Sequence, residues 1–262
     1  MSRIAKAFKE LKARGRKAFV AYAMAGFPDT RQDEALALSF LHAGADLLEI
    51  GVPFSDPLAD GPVIQRCGEL ALKAGGGLAR ALELAAALRP KTQAPLLLMT
   101  YCNPPLSMGI GAFAAAAAKA GVDGCIIPDL SPEEALPWGR ALAAKGISLI
   151  LLAAPTSTPE RLAKVAAQAS GFVYFVSVAG VTGANQGLDQ HLEAALRAWR
   201  KASPAPAVIG FGISTPQRAR QAAGLADGVV AATALLKPVL ESGDLHAAAG
   251  MAKALAKATH GA

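Results

Sequence analysis

Aromatic side chains make up only 5% of this sequence, and histidine and cysteine are scarcer still, at four and three residues. So few rings argue against a nucleic-acid surface, which interleaves basic residues with stacking aromatics. The three cysteines (Cys67, Cys102, Cys125) are odd in number and lack metal-type spacing, so a disulfide framework is not expected. His42, His191, His246 and His260 all fall in or beside helix-like stretches rather than at strand ends. Neither a metal site nor a Ser-His or Cys-His nucleophile is therefore expected. No run approaches the roughly 18 consecutive apolar residues that a membrane span requires. The net charge is +6, and with Lys and Arg read as scattered along the chain it implies a solvated basic surface. Near the start, Arg14, Arg16 and Lys17 precede the apolar residues 18–25, a pattern that mimics a secretory signal. That apolar run is short, and Ile4, Phe8 and Leu11 recur at helical spacing. The expectation is a short leading helix followed by a strand, in a cytoplasmic protein.

What the chain does have is hydrophobic content, 53% of 262 residues, with no linker or change of composition to divide it. One domain over residues 1–262 is expected. Short apolar runs at 19–24, 46–50, 96–100, 124–127, 147–152, 172–176, 207–210 and 228–230 read as strands, each followed by a helical pattern. Asp29-Thr30, Ser131-Pro132, Thr158-Pro159 and Thr215-Pro216 place capping side chains at or near helix starts. Gly44, Gly121, Gly146 and Gly224 mark helix ends. Eight strand-then-helix units without a hairpin signal predict a parallel sheet closed into a (β/α)₈ (TIM) barrel; an open doubly wound sheet is the alternative. In such barrels chemistry gathers at the loops after the strands' carboxyl ends.

Those loops hold a small set of candidates. Glu49 interrupts the apolar strand Leu47-Leu48-Glu49-Ile50-Gly51, and period-two alternation puts it on the face of Leu47. An inward carboxyl there is desolvated, its pKa is raised, and it suits a group that both gives and takes a proton. The alternative is a buried ion pair. The stiff segment after it, with Pro53, Pro57 and Pro62, carries Asp56 and Asp60. Asp60 reads either as a cap for the helix beginning at Pro62 or as the second, ionised member of a carboxylate pair. Gly210-Phe211-Gly212-Ile213-Ser214 after strand seven and Ala231-Ala232-Thr233 after strand eight resemble anion cradles at helix starts. The small-residue segment 177–187 has the composition of a mobile lid. Gly109-Ile110-Gly111 lacks the strand-turn-helix context of a dinucleotide fingerprint and reads as a helix start. Cys67 and Cys102 read as small buried residues.

The continuous run from Leu48 through Glu49, Asp56 and Asp60 to Gln65 resembles the hallmark segment of the tryptophan synthase alpha subunit family. Supporting matches fall in order at residues 25–29, 99–104, 127–130, 180–183 and 210–214. The resemblance implies a cofactor-free retro-aldol cleavage of indole-3-glycerol phosphate to indole and glyceraldehyde 3-phosphate. It implies that Glu49 is the acid-base group, that Asp60 accepts a hydrogen bond from the indole N–H, and that Tyr174 lines the pocket. Thr182 would be the lid threonine, and Gly183, Gly212, Ala232 and Thr233 would hold phosphate. It also implies a beta-subunit partner that carries pyridoxal phosphate, in an alpha-beta-beta-alpha complex. Two positions depart from the family pattern: Ala232-Thr233-Ala234 stands where Gly-Ser-Ala is usual, and Val178 stands where some relatives have arginine.

Overall fold

A computed structural model of the chain describes residues 1–176, 185–210 and 212–262. Along the chain run α1 (Arg3–Ala13), β1 (Ala18–Met24), α2 (Asp33–His42), β2 (Leu47–Gly51), α3 (Pro62–Lys73), α4 (Leu78–Leu88) and β3 (Leu96–Met99). Next come α5 (Asn103–Met108), α6 (Ile110–Lys119), β4 (Gly124–Ile126), α7 (Ala135–Ala143), β5 (Ser148–Ile150), β6 (Leu152–Ala153) and α8 (Pro159–Gln168). The series ends with β7 (Val173–Val176), α9 (Asn185–Ala202), β8 (Ala207–Gly210), α10 (Pro216–Leu225), β9 (Gly228–Ala231), α11 (Thr233–Ser242) and α12 (Leu245–His260).

The nine strands among the described residues lie in one parallel sheet, in the order β5-β4-β3-β2-β1-β9-β8-β7-β6. The expected single strand at 147–152 is divided at Leu151. Its first half pairs with β4 and its second with β7. The two ends of the sheet are thus consecutive pieces of one extended segment, and the parallel barrel is nearly closed. No helix among the described residues is long and apolar enough to cross a membrane.

Two apolar clusters follow from strand alternation. Outward residues such as Phe19, Leu48, Ile50 and Leu98 pack beneath the helices. Inward residues Val20, Leu47, Leu97, Ile126, Ile150, Phe172, Val208 and Val230 fill the barrel. The expected leading helix is α1; its Ile4, Phe8 and Leu11 are buried on one face and join the inner cluster, plugging the strands' amino-terminal end. Phe8 meets Phe172 with ring centroids 5.7 Å apart.

Thr158 and Thr215 cap α8 and α10 as expected, accepting from Arg161 N and Arg218 N. Asp29 instead forms a turn before α2, accepting from Arg31 N and Gln32 N, and Ser131 accepts from Glu134 N ahead of α7. Gly44, Gly121 and Gly146 end helices with positive φ, whereas Gly224 lies inside α10. Gly109 precedes α6, as a helix start should.

The cations are less scattered than the overall composition suggests. Residues 1–17 hold seven of the 26 basic side chains and one of the 20 acidic ones, so the rest of the chain is neutral overall. Arg3 and Arg89 pair with Asp123, and Arg16 and His260 meet Asp46, so part of this charge stitches α1 and α12 to the base of the barrel.

Candidate active site

β2 places Glu49 beside Tyr22 of β1 and Leu97 of β3, all on the inward face. Glu49 is 1% exposed, and its Oε2 has no hydrogen-bond partner among the described residues. No ion pair to it forms among those residues, so the buried salt-bridge alternative is not realised. Burial foremost, and then the negative charge of Asp60, push its pKa up to about 8.

Asp60 does not cap α3. Gly61 holds the N-cap position with no side-chain bond, and what Asp60 offers the helix is its backbone carbonyl, which accepts from Gln65 Nε2. Its carboxylate is half-buried. Burial raises its pKa to about 6, while interaction with the Tyr101 hydroxyl pulls the other way. Near neutral pH the pair is therefore split, one carboxyl protonated and one ionised.

Both groups line one cavity of about 300 Å³ with Tyr22, Gly61, Pro62, Ile64, Met99, Tyr174, Gly212, Ile213, Ser214, Val230, Ala232 and Thr233. It opens at the carboxyl ends of the strands. The two segments read as anion cradles meet here, with Gly212 at φ 74° and Ala232 immediately before α11. The first-turn N–H groups of a helix lack intrahelical acceptors, so those of Thr233 and Ala234 are left for another acceptor. Thr182, Gly183 and the lid-like segment around them lie outside the described residues.

The two tyrosines of the cavity occupy matching seats. A β-carbon on Gly51 would lie 1.9 Å from the Tyr22 hydroxyl, and one on Gly210 would lie 2.1 Å from the Tyr174 hydroxyl. Each phenol thus lies across a glycine at a strand's end. Burial raises both pKa values well above the ordinary phenol, and the two carboxylates add to it, so both rings stay neutral donors. Sequence reasoning placed Tyr174 here but missed Tyr22 and Met99 of the cavity wall, and Tyr101, which acts on Asp60 from outside it. An inward-phase tyrosine two residues before the end of β1 was the available signal for Tyr22.

Cys67 and Cys125 are buried and Cys102 is half-buried, and desolvation pushes all three thiols up to about 12, which disfavours the thiolate. No cluster of His, Cys, Asp or Glu among the described residues has metal-binding geometry. Two further concavities, about 310 and 520 Å³, flank α1 at the opposite end of the barrel. Their carboxylates are already engaged: Asp46 with His260, Glu10 with Lys6, and Asp227 with Ala207 N.

A parallel α/β barrel with a shielded carboxylate pair at its mouth, opposite two helix starts, defines a barrel enzyme acting on a small molecule. The family model described as "Tryptophan synthase alpha chain" matches residues 8–260. The chain belongs to the tryptophan synthase alpha chain family, lyases of tryptophan biosynthesis. It is 49% identical over 237 residues to the tryptophan synthase alpha chain of Geobacter sulfurreducens, covering 90% of each chain. It is 48% identical over 245 residues to that of Caulobacter vibrioides, covering 93% of this chain and 89% of the relative. Among solved structures it superposes on tryptophan synthase subunit alpha from Legionella pneumophila with a TM-score of 0.91 at 36% identity, covering 99% of this chain and 98% of that one. It matches a chain of the aminoacrylate-bound tryptophan synthase of M. tuberculosis with a TM-score of 0.90 at 33% identity, covering 99% and 100%.

Proposed function

We propose that this chain cleaves indole-3-glycerol phosphate to indole and glyceraldehyde 3-phosphate by a retro-aldol reaction. The observation that carries the reading is the shared cavity: a buried Glu49, whose Oε2 has no hydrogen-bond partner among the described residues, and a more exposed Asp60 face Gly212, Ala232 and Thr233 across about 300 Å³. With the phosphate held by backbone N–H groups at the helix starts, the indole ring lies between the carboxyl groups. Glu49, neutral before the reaction, gives its proton to the ring carbon that bears the glycerol chain. Positive charge spreads to the ring nitrogen, whose N–H donates to the Asp60 carboxylate. The Glu49 carboxylate then takes the proton of the adjacent glycerol hydroxyl. The carbon–carbon bond breaks, its electron pair restores the aromatic ring, and the aldehyde forms. One proton has moved from hydroxyl to ring carbon, and Glu49 is returned to its starting state. No redox or cofactor step is required by this sequence.

Tyr174 packs against the ring in this reading, Thr182 engages Asp60 when the lid closes, and Gly183 adds a phosphate contact. The partner is a tryptophan synthase beta subunit carrying pyridoxal phosphate, in an alpha-beta-beta-alpha complex within the cytoplasm. Indole is small and apolar, and direct transfer between subunits would prevent its loss. The exposed Leu58, at 91%, lies on the same mouth of the barrel as the cavity and suits such a docking face.

The test is release of indole from indole-3-glycerol phosphate by the purified chain, with and without beta subunit. The wild-type chain is expected to release indole slowly alone and faster in the complex. Glu49→Gln should lower turnover at least about 10³-fold, in line with loss of a general acid-base group, while circular dichroism stays that of the folded chain. Unchanged turnover in that variant would remove the mechanism.

A further inference from the structure

Residues 101 and 102 join three neighbouring loops of the barrel mouth. Tyr101, just beyond β3, is buried. Its ring lies against Phe54 near the start of the segment after β2, with centroids 5.4 Å apart. At the far end of that segment its hydroxyl accepts a hydrogen bond from Ala59 N at 2.9 Å. The same hydroxyl pulls the pKa of the neighbouring Asp60 carboxylate down. The next residue faces the other way: Cys102 N donates to Asp129 of the loop after β4, at 2.9 and 3.2 Å. Among the described residues the segment 53–60 has few other bonds: the Pro57 O to Asp60 N and Asp56 O to Leu58 N turns, Ser55 to Asp56 within it, and Gln65 Nε2 to the Asp60 carbonyl at its end. One phenol therefore touches the segment at both ends.

We propose that Tyr101 is a positioning residue for the reaction described above: its ring and hydroxyl clamp residues 54–60 so that the Asp60 carboxylate stands in the cavity wall. The inference rests on the proposed role of Asp60, but the clamp itself is a property of the apo chain. Groups that bear on Asp60 from the surrounding elements are Glu49 on β2, Tyr22 on β1 and Tyr174 on β7, with Asp129 acting on Tyr101 from the loop after β4. None of these is a cation, so among the described residues the Tyr101 hydroxyl is the group that favours ionised Asp60. Removing it raises the pH at which Asp60 ionises.

Tyr101→Phe separates the hydroxyl from the ring, which can still stack on Phe54. Two readouts are needed: the carboxyl titration of Asp60 by carbon-13 NMR, assigned by its absence in Asp60→Asn, and the pH dependence of kcat/KM for indole release. In Tyr101→Phe both the titration midpoint and the acid limb should move up by about one unit, which is about tenfold in activity well below the midpoint. Above both midpoints activity should recover in part, the remaining loss reflecting the Ala59 N–H that has lost its acceptor. Tyr101→Leu, which also loses the ring, should be impaired at every pH. An unmoved Asp60 midpoint in Tyr101→Phe overturns the inference whatever the activity; so does a loss of kcat/KM that is equal at all pH values. A raised midpoint in a chain whose wild type releases no indole supports the clamp and overturns the proposed reaction instead.

Discussion

A carboxyl group buried in an apolar strand costs stability unless it stays protonated, and Glu49 shows the consequence. Its folded pKa is raised above the unfolded value, so the folded state holds a proton that the unfolded state loses first. The folded state is not disfavoured below the ordinary glutamate value of 4.5 and is progressively penalised as pH rises toward about 8. Glu49→Gln should abolish this penalty, flattening the fall in stability between those pH values by an amount on the order of a few kcal/mol. Urea unfolding of both forms at pH 5 and 8 checks the sign; a wild-type chain that gains stability relative to the variant as pH rises contradicts it. Gly51→Ala sets a β-carbon 1.9 Å from the Tyr22 hydroxyl, so the phenol must leave its seat. We expect a loss of about 1–3 kcal/mol from overpacking, read by thermal unfolding, with turnover reduced as well. At this scale the sequence was legible where chemistry conflicts with setting. An acid inside Leu47–Gly51 stands out against its neighbours. Tyr22 and Tyr101 do not stand out, because a tyrosine in or beside an apolar run looks like core until cross-strand register and loop packing reveal where its hydroxyl lies.

Boundaries of elements were readable where one side chain decides them. Thr158 and Thr215 supply capping oxygens before proline, and both helices begin there. Thr215→Ala should cost about 1 kcal/mol, measurable by chemical denaturation; a change near zero would mean the cap is replaced by solvent. Boundaries set by tertiary partners were not readable. Residues 147–152 are nearly all apolar, and nothing in them marks Leu151 as the place where pairing passes from β4 to β7. The reading of Asp60 as a possible cap failed for a similar local reason: Gly61 supplies the extended N-cap backbone, φ −77° and ψ 167°, which frees the carboxylate. Before α11, Ala232 has φ −123°, a conformation any residue adopts, so the methyl in place of the family glycine bears on approach rather than strain. Ala232→Gly is expected to lower KM for the phosphorylated substrate by about two- to fivefold, a few tenths of a kcal/mol up to one. An unchanged KM would show that the methyl lies off the phosphate's path.

Across the whole molecule, the two ends of the barrel divide the work. The base is closed by α1, whose Ile4, Phe8 and Leu11 complete the inner core, and the chain's entire excess of positive charge lies there. Deleting residues 1–13 should remove roughly 5 kcal/mol of apolar burial, counting about 1.5–3 kcal/mol per large side chain. A lowered midpoint in urea with retained parallel-barrel circular dichroism is the expected result. The mouth holds the carboxylate pair, and its central feature is an acid that stays neutral near pH 7 because burial and Asp60 both oppose its ionisation. Infrared difference spectroscopy of wild type against Glu49→Gln measures this directly. A protonated-carboxyl carbonyl band is expected at pH 7, absent from the variant and fading in wild type as pH passes about 8. A wild-type spectrum at pH 7 that lacks this band would contradict it.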